Sequence, residues 1–294
     1  MNLSLLVSKQ QSAISKHQAA LTSMISAINN VLNIFKVALP PTPTGRYPLI
    51  MLFSKIVQLL KRKIRAKKLG IKFPRVAKFN LPDSLIIQGK TQQLKLPSEK
   101  GMDGEFIEVL LDDCYGLEQL PPSLLKIIDV GANVGLFSIA ARNRFPQAVI
   151  HAYEANPNLE KYLKNQSQIA NFAYFMEAIG ARDGKVVLDI REVSGKTRST
   201  VTENGDIPMV SLKKAIDRIG GKVDLAKIDC EGAEWPLFED KEIWQFVENL
   251  SLEYHLWSGH THAETRQVIE SLGFQIKKQI PIDKWYGLIL ASRT

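Results

Sequence analysis

Short apolar runs alternate with helical stretches over most of the second half of the chain, and this alternation constrains the fold more than any other feature. Strands are predicted at LLKIIDV (124–130), AVIHAYE (148–154), AYFMEAIG (173–180), KVVLDIRE (185–192), VDLAKID (223–229), NLSLEYH (249–255), FQIKKQI (274–280) and WYGLILAS (285–292). Helices are predicted over residues 112–120, 135–145, 156–170, 211–219 and 262–272. Such alternation produces a mostly parallel sheet with helices on both faces. The sequence therefore predicts an α/β fold whose ligands bind at the carboxyl ends of the strands.

The first central strand runs directly into a glycine loop, IIDVGANVG (127–135). Asp129, Gly131 and Gly135 lie where the strand ends and a helix begins, and glycine lets the backbone turn sharply and approach a ligand there. A dinucleotide fingerprint requires G-x-G-x-x-G, but Asn133 stands at the second glycine position and no Walker lysine follows. The loop therefore favours a ligand that carries no pyrophosphate.

An acid closes the next strand, at Glu154 in AYEANP. One carboxylate at this place can accept hydrogen bonds from both hydroxyls of a ribose. A phosphate-free cofactor that joins an adenosine to an amino acid needs such an acid together with a glycine loop. We therefore expect the cofactor to be S-adenosylmethionine.

Five segments, in this order along the chain, resemble the FkbM family of S-adenosylmethionine-dependent methyltransferases: IDVGANVGLFS, AYEANPNLEKYL, MEAIGARDGKV, KIDCEGAEWPLF and LEYH. The resemblance covers about residues 100–292 and is most specific at KIDCEGAE (227–234). It implies the class I methyltransferase fold, a Rossmann-like sheet of seven strands with a reversed last strand. It also implies methylation of hydroxyl oxygens on sugars or polyketide-type products.

The resemblance further implies roles for individual residues. The cofactor would be held by Asp129, Gly131, Asn133, Gly135 and Glu154. The reaction centre would include Asp229, Glu231 and Glu234.

Methyl transfer to a hydroxyl calls for a base, because an alcohol is a weak nucleophile at neutral pH. His255 ends LEYH on the strand next to KID, and an unperturbed imidazole titrates near neutrality. We therefore expect His255 to be the base, with Asp229 and Glu231 as catalytic neighbours. The alternatives are a histidine held by local hydrogen bonds and acids that cap a helix beginning at EGAEWPLF. Glu234 equally fits a structural pair with Lys227.

A metal is not expected at the site. The spacing of His255, His260 and His262 is not one that regular zinc modules use. Mg²⁺ held by Asp229 and Glu231 is the alternative.

The basic residues are concentrated at the N-terminus. Residues 1–82 contain 14 Lys or Arg and no acid, whereas the rest of the chain contains 24 basic and 30 acidic residues. This asymmetry argues against a uniformly basic nucleic-acid binder. The two cysteines form no disulfide framework, which favours a reducing, cytoplasmic setting.

The sequence pattern also predicts that the basic N-terminus is a separate segment. Apolar spacing predicts a helix over residues 2–38, a proline-rich break at 40–48 and a second helix from Leu49 to Lys68. We divide the chain into a helical segment, 1–80, and a methyltransferase domain, 81–294. Residues 49–80 are expected to contact an acidic membrane face peripherally; a solvated helix, a partner-binding helix and an organellar transit peptide are the alternatives.

The expected function is S-adenosylmethionine-dependent O-methylation of a small molecule or saccharide that carries an unmodified hydroxyl. One alternative is an NAD-dependent oxidoreductase on a similar sheet, which Asn133 and the lack of a third glycine after Gly135 disfavour. The other is a non-catalytic, membrane-associated scaffold that binds the cofactor without turnover.

Overall fold

The computed structural model describes residues 46–189, 198–202 and 204–293 of the 294-residue chain. Contacts divide the chain into two units, Met1–Leu60 and Lys61–Thr294. The helix predicted over residues 2–38 lies outside the described residues. The second predicted helix is present as α1 (Arg46–Lys68), with Pro48 in its first turn, where proline is tolerated.

No helix among the described residues is both long and apolar enough to cross a membrane. Peripheral membrane contact through residues 49–80 and a domain boundary after residue 80 stay predictions. Within the larger unit, Arg62 forms an ion pair with Asp112 at 2.6 Å and Arg65 one with Glu118 at 2.6 Å.

The larger unit begins with a hairpin of β1 (Ser84–Ile87) and β2 (Lys90–Gln93), followed by the short helix α2 (Met102–Phe106), which continues as a π-helical turn. The other strands are β3 (Lys126–Val130), β4 (Val149–Tyr153), β5 (Ala173–Phe175), β6 (Ala178–Gly180), β7 (Gly184–Asp189), β8 (Arg198–Val201), β9 (Ile207–Ser211), β10 (Val223–Ile228), β11 (Val247–His255), β12 (Gln275–Pro281) and β13 (Tyr286–Ser292). The other helices are α3 (Leu136–Arg144), α4 (Glu160–Ala170), α5 (Leu212–Arg218) and α6 (His262–Ser271).

Seven of these strands form the central sheet, in the order β12-β13-β11-β10-β3-β4-β5. The strand β13 runs antiparallel to β11 and β12, and the remaining neighbours are parallel. This is the class I methyltransferase arrangement with its reversed last strand, so the predicted fold is confirmed.

Local sequence explains where the elements begin and end. Four of the five residues of β3 are buried, as expected for a central parallel strand covered on both faces. The side chain of Ser211 caps α5, and Thr261 and Glu264 form a reciprocal capping box on α6. The side chain of Asn156 accepts the N–H of Asn158 ahead of α4.

The order of the strands reverses between β3 and β10, and this reversal positions the site. From β3 the chain proceeds outward through β4 and β5, then returns to add β10 on the other side of β3. Ile228 lies beside Val130 in the register, so the loops that follow β3 and β10 leave the sheet together. A crevice at this point is where ligands bind in open α/β sheets.

Three predicted elements were wrong. The strand predicted over 173–180 is two strands in different sheets, because Glu177 leaves the main sheet and pairs with Arg218 at 2.6 Å. The strand β6 instead joins a separate four-stranded sheet in the order β6-β9-β7-β8. EGAEWPLF forms only the 3-10 turn Trp235–Phe238, because Glu231 (φ +55°) and Gly232 (φ +99°) have left-handed backbones.

The third wrong element is the helix predicted at DDCYGLEQL (112–120). Asp113 (φ +57°) and Gly116 (φ +73°) both adopt left-handed conformations, which a continuous helix cannot contain. The segment is therefore the end of the π-helical turn and the 3-10 turn Leu117–Gln119, with Tyr115 between them.

Candidate active site

The glycine loop between β3 and α3 (residues 131–135) packs directly against the loop that follows β10. Gly131 has a φ of +71°, and a Cβ atom built on it would lie 1.7 Å from the carbonyl oxygen of Asp229. No side chain fits at this distance, so glycine is required where the two loops touch. The N–H groups of Gly131 and Ala132 donate to the carbonyl oxygen of Tyr153, which ties the loop to the end of β4.

The second glycine of the motif allows a close approach on the other side. Gly135 has a φ of +86° and directly precedes α3. A Cβ atom there would lie 3.1 Å from Leu163 and 3.2 Å from Gln166, both on α4. Gly135 therefore positions the start of α3 against α4, and its role in cofactor binding stays a prediction.

A buried lysine lies beneath the glycine loop. The Nζ atom of Lys227, on β10, donates to the carbonyl oxygen of Gly131 (2.6 Å) and lies 3.3 Å from Oδ1 of Asp129. Asp129 is fully buried and also accepts the hydroxyl of Ser138 at 2.7 Å. Burial lowers the pKa of Lys227, but the charges of Asp129 and Asp229 outweigh it and hold that pKa above its usual value. Lys227 is therefore a cation that fixes the loop, and Asp129 lies behind the loop.

Glu154 closes β4 beside an open cavity. Its carboxylate accepts the backbone N–H of Asn133 and of Asn156, both at 2.7 Å. Burial raises the pKa of Glu154, and the two N–H donors oppose that rise. The first cavity, about 650 Å³ with the solvent at its mouth, is lined by Glu154, Gly131, Tyr153 and other residues of the strand ends. Each carboxylate oxygen retains a second lone pair for a ligand.

Asn133 connects the first cavity to a second one. It has a left-handed backbone (φ +49°), and its Nδ2 donates to both carboxylate oxygens of Glu105 at 3.0 Å, while its backbone N–H bonds Glu154. The second cavity, about 1010 Å³ with open solvent, is lined by Glu105, Tyr115 and Lys227 among others. Asn133 therefore sits between two carboxylates at the junction of the cavities.

The residues that follow β10 form a polar turn at the same junction. Asp229 accepts the hydroxyl of Tyr115 at 2.8 Å. Glu234 is fully buried, and one of its oxygens accepts the N–H groups of Cys230 (3.2 Å) and Gly232 (3.1 Å). Asp229 and Glu231 line both cavities, as Gly131 and Asn133 do.

His255 ends β11 against this turn. Its Nδ1 lies 3.0 Å from Oε1 of Glu234, and its Nε2 lies 3.6 Å from Glu231 and 3.9 Å from Glu253. The alternative pair of Glu234 with Lys227 is thus not formed. Burial lowers the pKa of His255, but the hydrogen bond to Glu234 and the charges of the nearby carboxylates outweigh burial and raise the pKa to about 9.

The pKa of His255 overturns one premise of the sequence analysis. An unperturbed imidazole would be largely neutral at pH 7, whereas a group with a pKa of about 9 is about 99% protonated there. Glu253 shares the environment, and burial followed by the charge of Asp229 raises its pKa to about 9. The role of His255 as base stays a prediction. In the cofactor-free protein, the pH at which His255 loses its proton is about 9 instead of near neutrality.

Three of the predicted site residues also have the geometry to bind a cation. Asp229, Glu231 and His255 each offer a ligand atom within 4.8 Å of the others. The other histidines lie elsewhere: His260 stacks on Trp235 at 3.5 Å, and His262 contacts Tyr254. The expectation that no metal binds stays a prediction.

The structure brings together Gly131, Asn133, Glu154, Asp229, Glu231 and His255, and it sets Asp129 and Gly135 behind them. Sequence reasoning missed two carboxylates of the second cavity, Glu105 and Glu253, and gave Lys227 only a structural role. Lys227 had a detectable signal, since it stands two residues before Asp229 and so shares its strand face. Glu105 had none, because its helix is remote in sequence from the loop it contacts.

Comparison with known proteins finds methyltransferases among those similar to this chain. Residues 129–276 match the model of the Methyltransferase FkbM domain. "Methyltransferase 1" of Beauveria bassiana (strain ARSEF 2860) is 24% identical over 212 residues, which cover 61% of this chain and 84% of that protein. "Methyltransferase sdnD" of Sordaria araneosa is 27% identical over 220 residues, covering 60% of this chain and 84% of that protein.

A solved structure with a similar fold is the magnesium protoporphyrin IX methyltransferase (ChlM) of Synechocystis PCC 6803 with bound SAM. It is 14% identical, with a TM-score of 0.41 over 81% of this chain and 97% of that one.

Proposed function

Because the chain belongs to the FkbM family of S-adenosylmethionine-dependent methyltransferases, we propose that it transfers the methyl group to a hydroxyl oxygen of a small molecule or saccharide. Membership of this family argues against the alternative function, an NAD-dependent oxidoreductase. The acceptor atom and the acceptor class are the proposal.

The residues at the strand ends fit the cofactor. Glu154 offers lone pairs for the ribose hydroxyls, and Gly131 lines both cavities, where the methionine part of the cofactor would cross the loop. When bound, S-adenosylmethionine supplies a methyl group already activated on a sulfonium. The protein then has to hold the acceptor oxygen in line with that methyl group and receive its proton.

The observation that carries the proposal is the pair of His255 and Glu234. The bond between Nδ1 and the buried Glu234 fixes the imidazole, and Nε2 lies 3.6 Å from Glu231, a residue that lines both cavities. We propose that Nε2 of His255 accepts the proton that the acceptor hydroxyl loses during methyl transfer. Glu234 stabilises the imidazolium that forms, as the orienting acid does in other histidine bases.

The raised pKa of His255 is compatible with this role. A sulfonium held by the residues at the junction of the cavities would bring a positive charge near His255, and a nearby positive charge lowers the pKa of an imidazole. We expect the deprotonated fraction of His255 to rise when the cofactor is bound. The carboxylates of Asp229 and Glu231 then orient the acceptor hydroxyl beside Nε2.

The chemistry of the product tests the proposal. The protein is incubated with S-adenosylmethionine labelled in the methyl group and with an extract of small hydroxylated metabolites, and the labelled product is treated with mild alkali. An O-methyl ether keeps its label, whereas a methyl ester loses it. Label on nitrogen, carbon or sulfur, or an alkali-labile product, would contradict O-methylation of a hydroxyl.

The variant His255→Asn tests the base separately. It should bind S-adenosylhomocysteine as the native protein does but transfer the methyl group about 10²–10⁴-fold more slowly. Unchanged turnover would remove His255 from the mechanism without affecting the identity of the acceptor atom.

A further inference from the structure

Glu105 is a carboxylate of the second cavity for which the proposed methyl transfer has no use. It lies on α2, and its partner among the described residues is the neutral side-chain amide of Asn133. No Lys, Arg or His of the described residues forms an ion pair with it. Burial, followed by the charge of Asp229, raises its pKa to about 8. A carboxylate in this state is suited to receive a cation that the protein itself does not supply.

The lining of the second cavity contains more acidic than basic side chains. The carboxylates among its lining residues are Glu99, Glu105, Glu108, Asp229, Glu231 and Glu253, whereas the cation among those described residues is Lys227. Lys227 is already engaged by Asp129 and by the loop carbonyl groups. Two acceptor atoms at the junction of the cavities, Oδ1 of Asn133 and Oδ1 of Asp229, are buried without a hydrogen-bond donor. A ligand with a cationic donor group would both offset the excess of acidic side chains and supply a hydrogen-bond donor for these acceptor atoms.

Asn133 fixes the spatial relation between the two acids. Its backbone N–H bonds Glu154 in the first cavity, and its side chain bonds Glu105 in the second. A ligand whose ribose is bound by Glu154 and whose tail crosses the loop at Gly131 therefore reaches the Glu105 side. The methionine part of the cofactor forms such a tail and ends in an α-ammonium group.

We propose that Glu105 binds the α-ammonium group of the cofactor's methionine. Asn133 bonds both acids and so fixes their positions. We call Glu154, which would bind the ribose, and Glu105, which would bind the amino group, the two-acid clamp. Asn133 and Glu105 thereby give the protein a preference for the complete cofactor over fragments that end at the ribose. The proposal rests on the cofactor and is independent of the acceptor atom, so the two can fail separately.

Two ligands that differ by the amino-acid tail test the clamp. S-Adenosylhomocysteine has the tail, and 5′-methylthioadenosine lacks it. Calorimetry with the variant Glu105→Gln, which keeps an oxygen for Asn133, should show about 10- to 100-fold weaker binding of S-adenosylhomocysteine. Its affinity for 5′-methylthioadenosine should stay within about twofold of the native value.

The matched control is Glu108→Gln. This change removes a carboxylate from the same cavity without a contact to Asn133, and it should leave both affinities within about threefold. Equal weakening of the two ligands by Glu105→Gln would show that the variant damages the loop and would overturn the assignment. Unchanged binding of both would place the ammonium elsewhere, and equal losses in Glu108→Gln would reduce the effect to general charge.

The native protein provides an independent measurement if the variant does not fold. The groups that surround Glu105 electrostatically are Asp229, Lys227, Glu99 and Glu108. Because a carboxyl with a pKa of about 8 is largely protonated at pH 7 and must ionise to bind an ammonium, S-adenosylhomocysteine should release about 0.9 proton more than 5′-methylthioadenosine does. Calorimetry in buffers of different ionisation enthalpy measures this difference. Equal release by the two ligands would contradict the proposal.

Discussion

Replacing Lys227 by Met should destabilise the protein by removing a cation that balances the fully buried carboxylate of Asp129. The side chain of Lys227 is 3% exposed and that of Asp129 is 0% exposed. Methionine occupies a similar volume but offers no charge and no donor. Loss of one member of a buried ion pair costs about 3–5 kcal/mol, because the other charge remains buried and uncompensated.

The protonation of Asp129 sets an upper limit on this cost. Without Lys227, the carboxyl of Asp129 remains buried with the hydroxyl of Ser138 as its donor, and it can lose its charge by taking up a proton. Protonating a carboxyl with an ordinary pKa of about 3.9 costs about 4 kcal/mol at pH 7 and about 1.5 kcal/mol at pH 5. The destabilisation caused by Lys227→Met should therefore shrink by about 1.4 kcal/mol for each pH unit below 7.

A double-mutant cycle measures the effect. Urea unfolding is measured for the native protein, Lys227→Met, Asp129→Asn and the double variant. The double variant should lose less free energy of unfolding than the two single variants together, by about 1.5 kcal/mol or more. Additive losses, or a cost for Lys227→Met that is the same at pH 5 and pH 7, would refute the assignment of Lys227 as the counter-ion of Asp129.

Three further predictions concern the loop and the titrating groups. Gly131→Ala should weaken S-adenosylhomocysteine binding at least about tenfold in calorimetry. The control Gly89→Ala, at a φ of +78° with nothing within 4 Å of its Cβ position, should not weaken it. Equal affinities of the two variants would contradict the close approach of the loops. The value of kcat/KM for the acceptor should rise with pH up to the pKa of His255, which is about 9 in the cofactor-free protein and lower when the cofactor is bound, and a flat profile between pH 6 and 8 would exclude this base. Raised pKa values of about 8 at Glu105 and about 9 at Glu253 mean that the cofactor-free protein loses stability as the pH rises from 5 to 9. Urea unfolding across this range should show that decline, and a stability that increases with pH would contradict it.

Features with a local signal were predictable from the sequence. The strands of the central sheet are short apolar runs flanked by helices, and the glycine loop and Glu154 stand at the strand ends where the pattern places them. The order of the strands followed from the family resemblance. The break after Phe175 was missed because an apolar run does not reveal that Glu177 turns away to meet Arg218.

Contacts between distant segments were not predictable. Glu105 meets Asn133 across 28 positions and Tyr115 meets Asp229 across 114, so no spacing rule connects them. The titration of His255 depends on the sum of burial and several carboxylates, which only a folded structure assembles. The left-handed residues Asp113 and Glu231 likewise have side chains that normally continue a helix or cap one, so their backbone angles were not predictable from residue type.

The proposed binding of the ribose by Glu154 is tested most directly by calorimetric titration with S-adenosylhomocysteine and its 2′,3′-dideoxy analogue. Two charge-assisted hydrogen bonds predict that the native protein binds the analogue at least about 100-fold more weakly, and that Glu154→Ala binds both ligands with the same low affinity. Equal affinity of the native protein for the two ligands would show that Glu154 does not hold the sugar, and the assignment of the first cavity to adenosine would be wrong.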